Sequence, residues 1–70
     1  MIRVPVQSSN IRSIGHDPLT NTLEVEFVNG GVYQYDGVPA EKHSALVGAE
    51  SIGRHLHQHI KQNHAARKLP

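Results

Sequence analysis

The sequence predicts an α+β domain: a three-stranded antiparallel β-meander followed by two helices packed on one face of the sheet. Three observations carry this. Leu23, Val25 and Phe27 alternate with Thr22, Glu24 and Glu26, the period of a half-buried strand. Asn29-Gly30-Gly31 then offers turn chemistry just before Val32-Tyr33-Gln34-Tyr35, a run of strand formers. Ile52, Leu56 and Ile60 recur every four residues, the buried stripe of a helix. A small sheet with one apolar face needs a cover, and such helices supply it.

The elements follow in order. Residues 1–10 read as polar and loose, with Val4 and Val6 able to extend an edge pairing. Ile11-Arg12-Ser13-Ile14-Gly15-His16 alternates weakly and reads as the first strand. Asp17-Pro18-Leu19-Thr20-Asn21 is a turn, since proline presets φ and Asp17 can bond the backbone ahead of it. Thr22–Val28 is the second strand and Val32–Tyr35 the third. Pro39-Ala40-Glu41 opens a helix, with proline at its first position and an acid in its first turn. That helix runs to about Val47 and stops at Gly48. Ser51 caps a second helix, whose pattern fades near Asn63. The ordered core spans about residues 8–63, and residues 64–70 are expected to fray.

The turn leaves the hairpin register open. A two-residue turn at Asn29-Gly30 pairs Phe27 with Val32 and Glu26 with Tyr33, placing the tyrosines outside. A three-residue loop with Gly31 left-handed pairs Phe27 with Tyr33 and Val25 with Tyr35, placing them in the core. One residue of slip moves both rings across the sheet. The second register is the expectation, because a core this small needs large side chains and Phe27 is the only other aromatic ring.

Composition bounds function. Seventy residues form one domain, 1–70, with a thin stability margin. No cysteine is present, so neither a disulfide nor a thiolate metal site is available. The N-terminus lacks the apolar run of a signal peptide, and no stretch nears the roughly 20 apolar residues of a membrane span. A cytoplasmic protein is the default expectation. Net charge is +1, weak for a nucleic-acid binder, although six histidines can add charge near pH 6.

No catalytic motif is complete. Gly48-Ala49-Glu50-Ser51-Ile52-Gly53 has one residue too many before its serine for a nucleophile elbow, and no strand precedes it. Glu24 and Glu26 share a strand face, where paired carboxylates usually serve as solvated charge. His55 and His59 have the i, i+4 spacing of paired metal ligands, but no acidic residue in that helix completes a site, so no metal and no cofactor are expected. The basic residues are more informative. Arg54, Lys61 and Lys68 are seven apart, so one continuous helix would align them, with His57 and His64 nearby. That face is the candidate for phosphate contacts.

The sequence also resembles a known family. Ser9-Asn10-Ile11, Ile14-Gly15-His16-Asp17, Leu23-Glu24-Val25-Glu26-Phe27, Gly30-Gly31-Val32-Tyr33-Gln34-Tyr35 and Gly37-Val38-Pro39, with Leu46, Ala49, Ser51 and Gly53, resemble the KTSC domain. The family is named after the C-terminal region of some lysyl-tRNA synthetases and also occurs as small stand-alone bacterial or phage proteins. Its recurring mark is Tyr-x-Tyr, here Tyr33 and Tyr35. The family has no established activity, and the resemblance implies RNA, single-stranded or transfer RNA, as the suggested partner; with no complete catalytic motif, the expectation is a non-enzymatic binding domain. Where the family often carries an aromatic-Asn pair after Gly53, this chain has Leu56-His57. The competing expectation is a protein-interaction module or homodimeric scaffold, because an open sheet edge invites a partner.

Overall fold

The computed structural model describes residues 1–70. It has one antiparallel sheet of five strands in the order β1-β2-β3-β4-β5: β1 (Val4–Pro5), β2 (Ile11–Asp17), β3 (Thr22–Phe27), β4 (Val32–Tyr35) and β5 (Ala66–Lys68). Between β4 and β5 lie α1 (Ala40–Val47) and α2 (Ile52–His55), and α2 continues without a break into a π-helical segment, Leu56–Lys61. No helix is long and apolar enough to cross a membrane.

The three predicted strands are therefore the centre of a wider sheet. Val4 and Pro5 pair with Ile14 and Ser13 at one edge. At the other edge the chain returns after the helices, and Ala66, Arg67 and Lys68 pair with Tyr35, Gln34 and Tyr33. Residues assigned from sequence to a fraying tail thus include an edge strand. Nothing apolar marks it. Its hydrogen bonds depend on where the helices deliver the chain, a long-range fact without a local pattern.

The hairpin corrects the expected pairing but keeps the expected face. Gly30 N–H donates to the Phe27 carbonyl at 2.9 Å, and Phe27 N–H donates to the Gly31 carbonyl at 2.8 Å. The loop is Val28-Asn29-Gly30, and Gly30 is the left-handed residue with φ 96°. Asn29 Oδ1 accepts from Gly31 N–H at 2.9 Å, which explains why the turn sits one residue earlier. Val25 consequently pairs with Tyr33 and Leu23 with Tyr35, not Phe27 with Tyr33 and Val25 with Tyr35. Sliding the loop by one moves each pairing by two, so the parity and the tyrosines' face are unchanged.

Ile11, Ile14, Leu23, Val25 and Tyr35 form the sheet side of the core, with Val38, Leu46, Ile52, Leu56 and Ile60 opposite. A β-bulge lies between Ile11 and Ser13, and both Ile11 and Ile14 are buried. Helix α1 ends at Val47 as predicted but starts one residue later, with Pro39 as its N-cap rather than its first helical residue, and Gly48 ends it with φ −90° rather than left-handed. Ser51 Oγ accepts from Arg54 N–H at 3.4 Å and caps α2 as expected. The π segment has a simple rationale. In an α-helix a row spaced by four residues drifts around the axis, because a turn holds only 3.6. A π turn holds more than four and takes the drift back. Ile52, Leu56 and Ile60 all remain buried.

The opposite sheet face is not simply solvated. Glu24 is 7% exposed and Ser13 6%. The Arg3 guanidinium crosses the strands to bond Glu24 Oε2, and its Nε donates to Ser13 Oγ at 3.1 Å. Gln34 Nε2 donates to Glu24 Oε1 at 2.8 Å, and Arg67 joins Gln34 at 2.9 Å and pairs with Asp36. Gly15 permits the crossing, since a Cβ there would stand 2.7 Å from the Ile2 carbonyl oxygen. Burial pushes the Glu24 pKa up, but hydrogen bonds from Gln34 and Arg3, with the charge of Arg3, outweigh it and hold the carboxyl below its ordinary 4.5. A carboxyl with a depressed folded pKa stabilises fully above its unfolded value and loses that contribution as pH falls through the folded one. Urea midpoints at pH 6 and pH 3 are expected to converge between the native chain and Glu24→Gln as the pH drops. An equal gap at both values would reject this linkage.

Candidate nucleic-acid interface

The residues singled out for phosphate contact come from elements that the sheet sorts to different places. Arg54 and His57 are exposed, Arg54 on α2 and His57 on the π segment. Arg54 borders a polar hollow formed by Ser8, Ser9, Asn10 and the turn before α2. Lys61 ends the π segment and borders a different cleft. The predicted row of Arg54, Lys61 and Lys68 on one continuous helix does not form. The π turns rotate Lys61 away from the row, and Lys68 lies on β5.

His64 is half-buried and engaged at both ring nitrogens. Lys42 Nζ donates to its Nε2 at 3.0 Å, so Nδ1 carries the proton and donates to the Asp36 carbonyl at 2.8 Å. This ring ties the end of the π segment to α1 and to the loop after β4. It sits where the chain turns back to become β5, with Ala65 O accepting from Asp36 N–H at 2.9 Å.

A second arrangement, absent from any sequence pattern, gathers Lys61 and Lys68 around the aromatic residues. Phe27 closes β3, and its ring meets Tyr33 edge-on with centroids 5.5 Å apart. Lys61 Nζ stands 5.3 Å from the Phe27 centroid, within cation–π range. Lys68 is the cross-strand partner of Tyr33 and so shares its face. Phe27, Asn29, Tyr33, Tyr35, Lys61 and Ala66 line a cleft of about 410 Å³.

The two tyrosines of the motif differ in role. Tyr35 is 2% exposed and belongs to the core. Burial, and then the neighbouring Tyr33, push its hydroxyl above the ordinary 10. Tyr33 is half-buried, packed against the core on one side and bordering the cleft on the other. Stacking by both rings is therefore ruled out, while a mixed surface of Phe27, Tyr33 and two lysines is available. Sequence reading missed Phe27 as part of it, because its alternation marks it only as core.

Two histidine pairs complete the inventory. The rings of His55 and His59 lie 4.4 Å apart as i, i+4 neighbours, and His55 is held below its ordinary 6.5 by burial and then by His59. No group of three or more metal-ligating side chains exists. His16 and His43 stack in parallel with centroids 4.9 Å apart.

Known proteins resemble this chain along most of its length. The family model of the KTSC domain matches residues 7–64. An uncharacterized protein of Stutzerimonas stutzeri is 50% identical over 64 residues, 91% of this chain and 90% of that one. The crystal structure of a KTSC domain protein from Yersinia pestis aligns with a TM-score of 0.94 and 43% identity, covering 99% of this chain and 97% of that one. The lysine–tRNA ligase of a Nostoc species is 36% identical over 55 residues, which are 79% of this chain but only 10% of the ligase.

Proposed function

This chain belongs to the KTSC domain family, and from that premise we propose that it is a non-enzymatic module that binds single-stranded RNA at the cleft of Phe27, Tyr33 and Lys61, with Lys68 on the neighbouring edge strand. One observation carries the reading: a lysine ammonium stands over an aromatic ring beside a second ring and a second lysine. Base faces stack on aromatic side chains, and lysines meet the flanking phosphates. Arg54 lies apart from this cleft, on α2 beside the polar hollow of Ser8, Ser9 and Asn10. RNA is favoured over DNA because a similar segment is carried by lysine–tRNA ligases.

The physics sets the affinity scale. Net charge is only +1, so long-range attraction is small. Two phosphate contacts on a single strand give a slope of log K against log salt of about −1.4. Fluorescence anisotropy with a short labelled RNA is the test. Lys61→Ala is expected to weaken binding about five- to tenfold and to flatten the salt slope, as one lost phosphate contact requires. Phe27→Leu keeps the apolar packing and removes the π face, and base stacking worth about 1–3 kcal/mol goes with it. Absence of binding at low salt, or full affinity in both variants, would overturn the proposal.

A further inference from the structure

At the other end of the sheet a groove of about 740 Å³ runs between the N-terminal segment, β2 and α1. Ile2, Val4, Val6, Val47 and Ile52 line it. Ile2 is 88% exposed, Val4 62% and Val47 42%, so half of the protein's six exposed large apolar residues border this one groove. Its size falls within the roughly 300–1,000 Å³ of small-molecule sites.

The polar groups in it are few and specific. His16 Nε2–H donates to the Val38 carbonyl at 2.7 Å, which fixes that ring. His43 stacks on it at a tilt of only 9°. His16 Nδ1 and both nitrogens of His43 have no protein partner and remain open to water. Besides these rings, Glu50 from the turn after α1 and Gln7 from the N-terminal segment also border the groove. No ion pair joins Glu50 to either histidine.

We propose that this groove binds a small aliphatic monocarboxylate, with the hydrocarbon body along the Ile and Val walls and the carboxylate against the His16–His43 pair. The occupant follows from the lining. A peptide would bring backbone amides against methyl groups that offer no hydrogen bonds, at a cost for each unpaired group. A hydrocarbon chain carries no such cost. A neutral headgroup offers His43 no counter-charge, whereas a carboxylate supplies one.

Binding is then coupled to protonation. In the free protein, burial and then the neighbouring His16 hold the His43 pKa below its ordinary 6.5. A carboxylate beside the ring favours its protonated form, so the complex takes up a proton that the free protein lacks, and affinity rises as pH falls.

Octanoate and 1-octanol are the probes, titrated into the full chain at pH 8 and pH 6 and followed by amide and imidazole NMR shifts. Octanoate is expected to move the signals of Ile2, Val47, His16 and His43, and to bind about tenfold tighter at pH 6 than at pH 8. Octanol is expected to bind the same walls with no pH dependence. His43→Gln should leave octanol binding intact and abolish the pH dependence for octanoate. Equal octanoate affinity at both pH values, shifts centred outside the groove, or no saturation in the native chain would overturn the inference. The octanoate–octanol contrast needs no variant, so misfolding of His43→Gln would not shield the proposal.

Discussion

Tyr35→Ala is expected to unfold most of the protein, at a cost of about 3–5 kcal/mol. The ring is 2% exposed and is the largest side chain that β4 gives to the core. It faces Leu23 across the hairpin and Ala66 across the edge, so removing it opens a cavity between three strands. A domain of this size has little reserve, since total stabilities begin near about 5 kcal/mol. Tyr35→Phe separates packing from chemistry. The hydroxyl makes no hydrogen bond within the protein, and no buried polar side-chain atom lacks a partner, so this oxygen reaches water. Its removal is expected to cost less than about 1 kcal/mol. Urea denaturation followed by circular dichroism measures both. If Tyr35→Ala stayed folded and lost only RNA binding, this tyrosine would be a contact residue and its place in the core would be wrong.

Ile60→Ala is expected to cost about 2–5 kcal/mol and to weaken RNA binding beyond what the unfolded fraction explains. Ile60 is fully buried at the inner side of the π segment. Its backbone carbonyl accepts from Asn63 and His64 N–H at 3.1 and 3.0 Å; alanine keeps these bonds but loses the packed side chain that anchors this point, where the chain leaves the helix. Lys61 over Phe27 and His64 on Lys42 both depend on that exit. Leu56→Ala offers the comparison: equally buried, but a turn away from Lys61. Binding corrected for folded fraction should fall further in Ile60→Ala than in Leu56→Ala. Equal corrected affinities would separate the cleft from the π segment.

These two positions show how far local pattern reaches. The alternation Leu23-Val25-Phe27 and the four-residue recurrence Ile52-Leu56-Ile60 reported which residues meet the core, and Leu23, Val25, Ile52, Leu56 and Ile60 are buried. Parity carried the tyrosines to the correct face even though the loop sits one residue earlier than expected. The loop position itself turned on the Asn29 side chain bonding Gly31, a choice between turns of similar energy. The spacing of Arg54, Lys61 and Lys68 misled because helical spacing has meaning only while a helix continues. Here it widens at Leu56 and ends before Lys68.

The sequence alone determined the three central strands and the two helical stretches, the face each presents, the Ser51 cap and the family, because each rests on interactions within a few residues or on a motif read directly. Tertiary structure decided the rest. It added β1 and β5 to the sheet, buried Glu24 beneath Arg3, locked His64 between Lys42 and Asp36, and set Lys61 over Phe27 and His43 against His16. Each of these joins residues distant in the chain. Their encounter depends on how the edge strands pair and how the helices cross the sheet, and nothing in the local pattern of either partner encodes that.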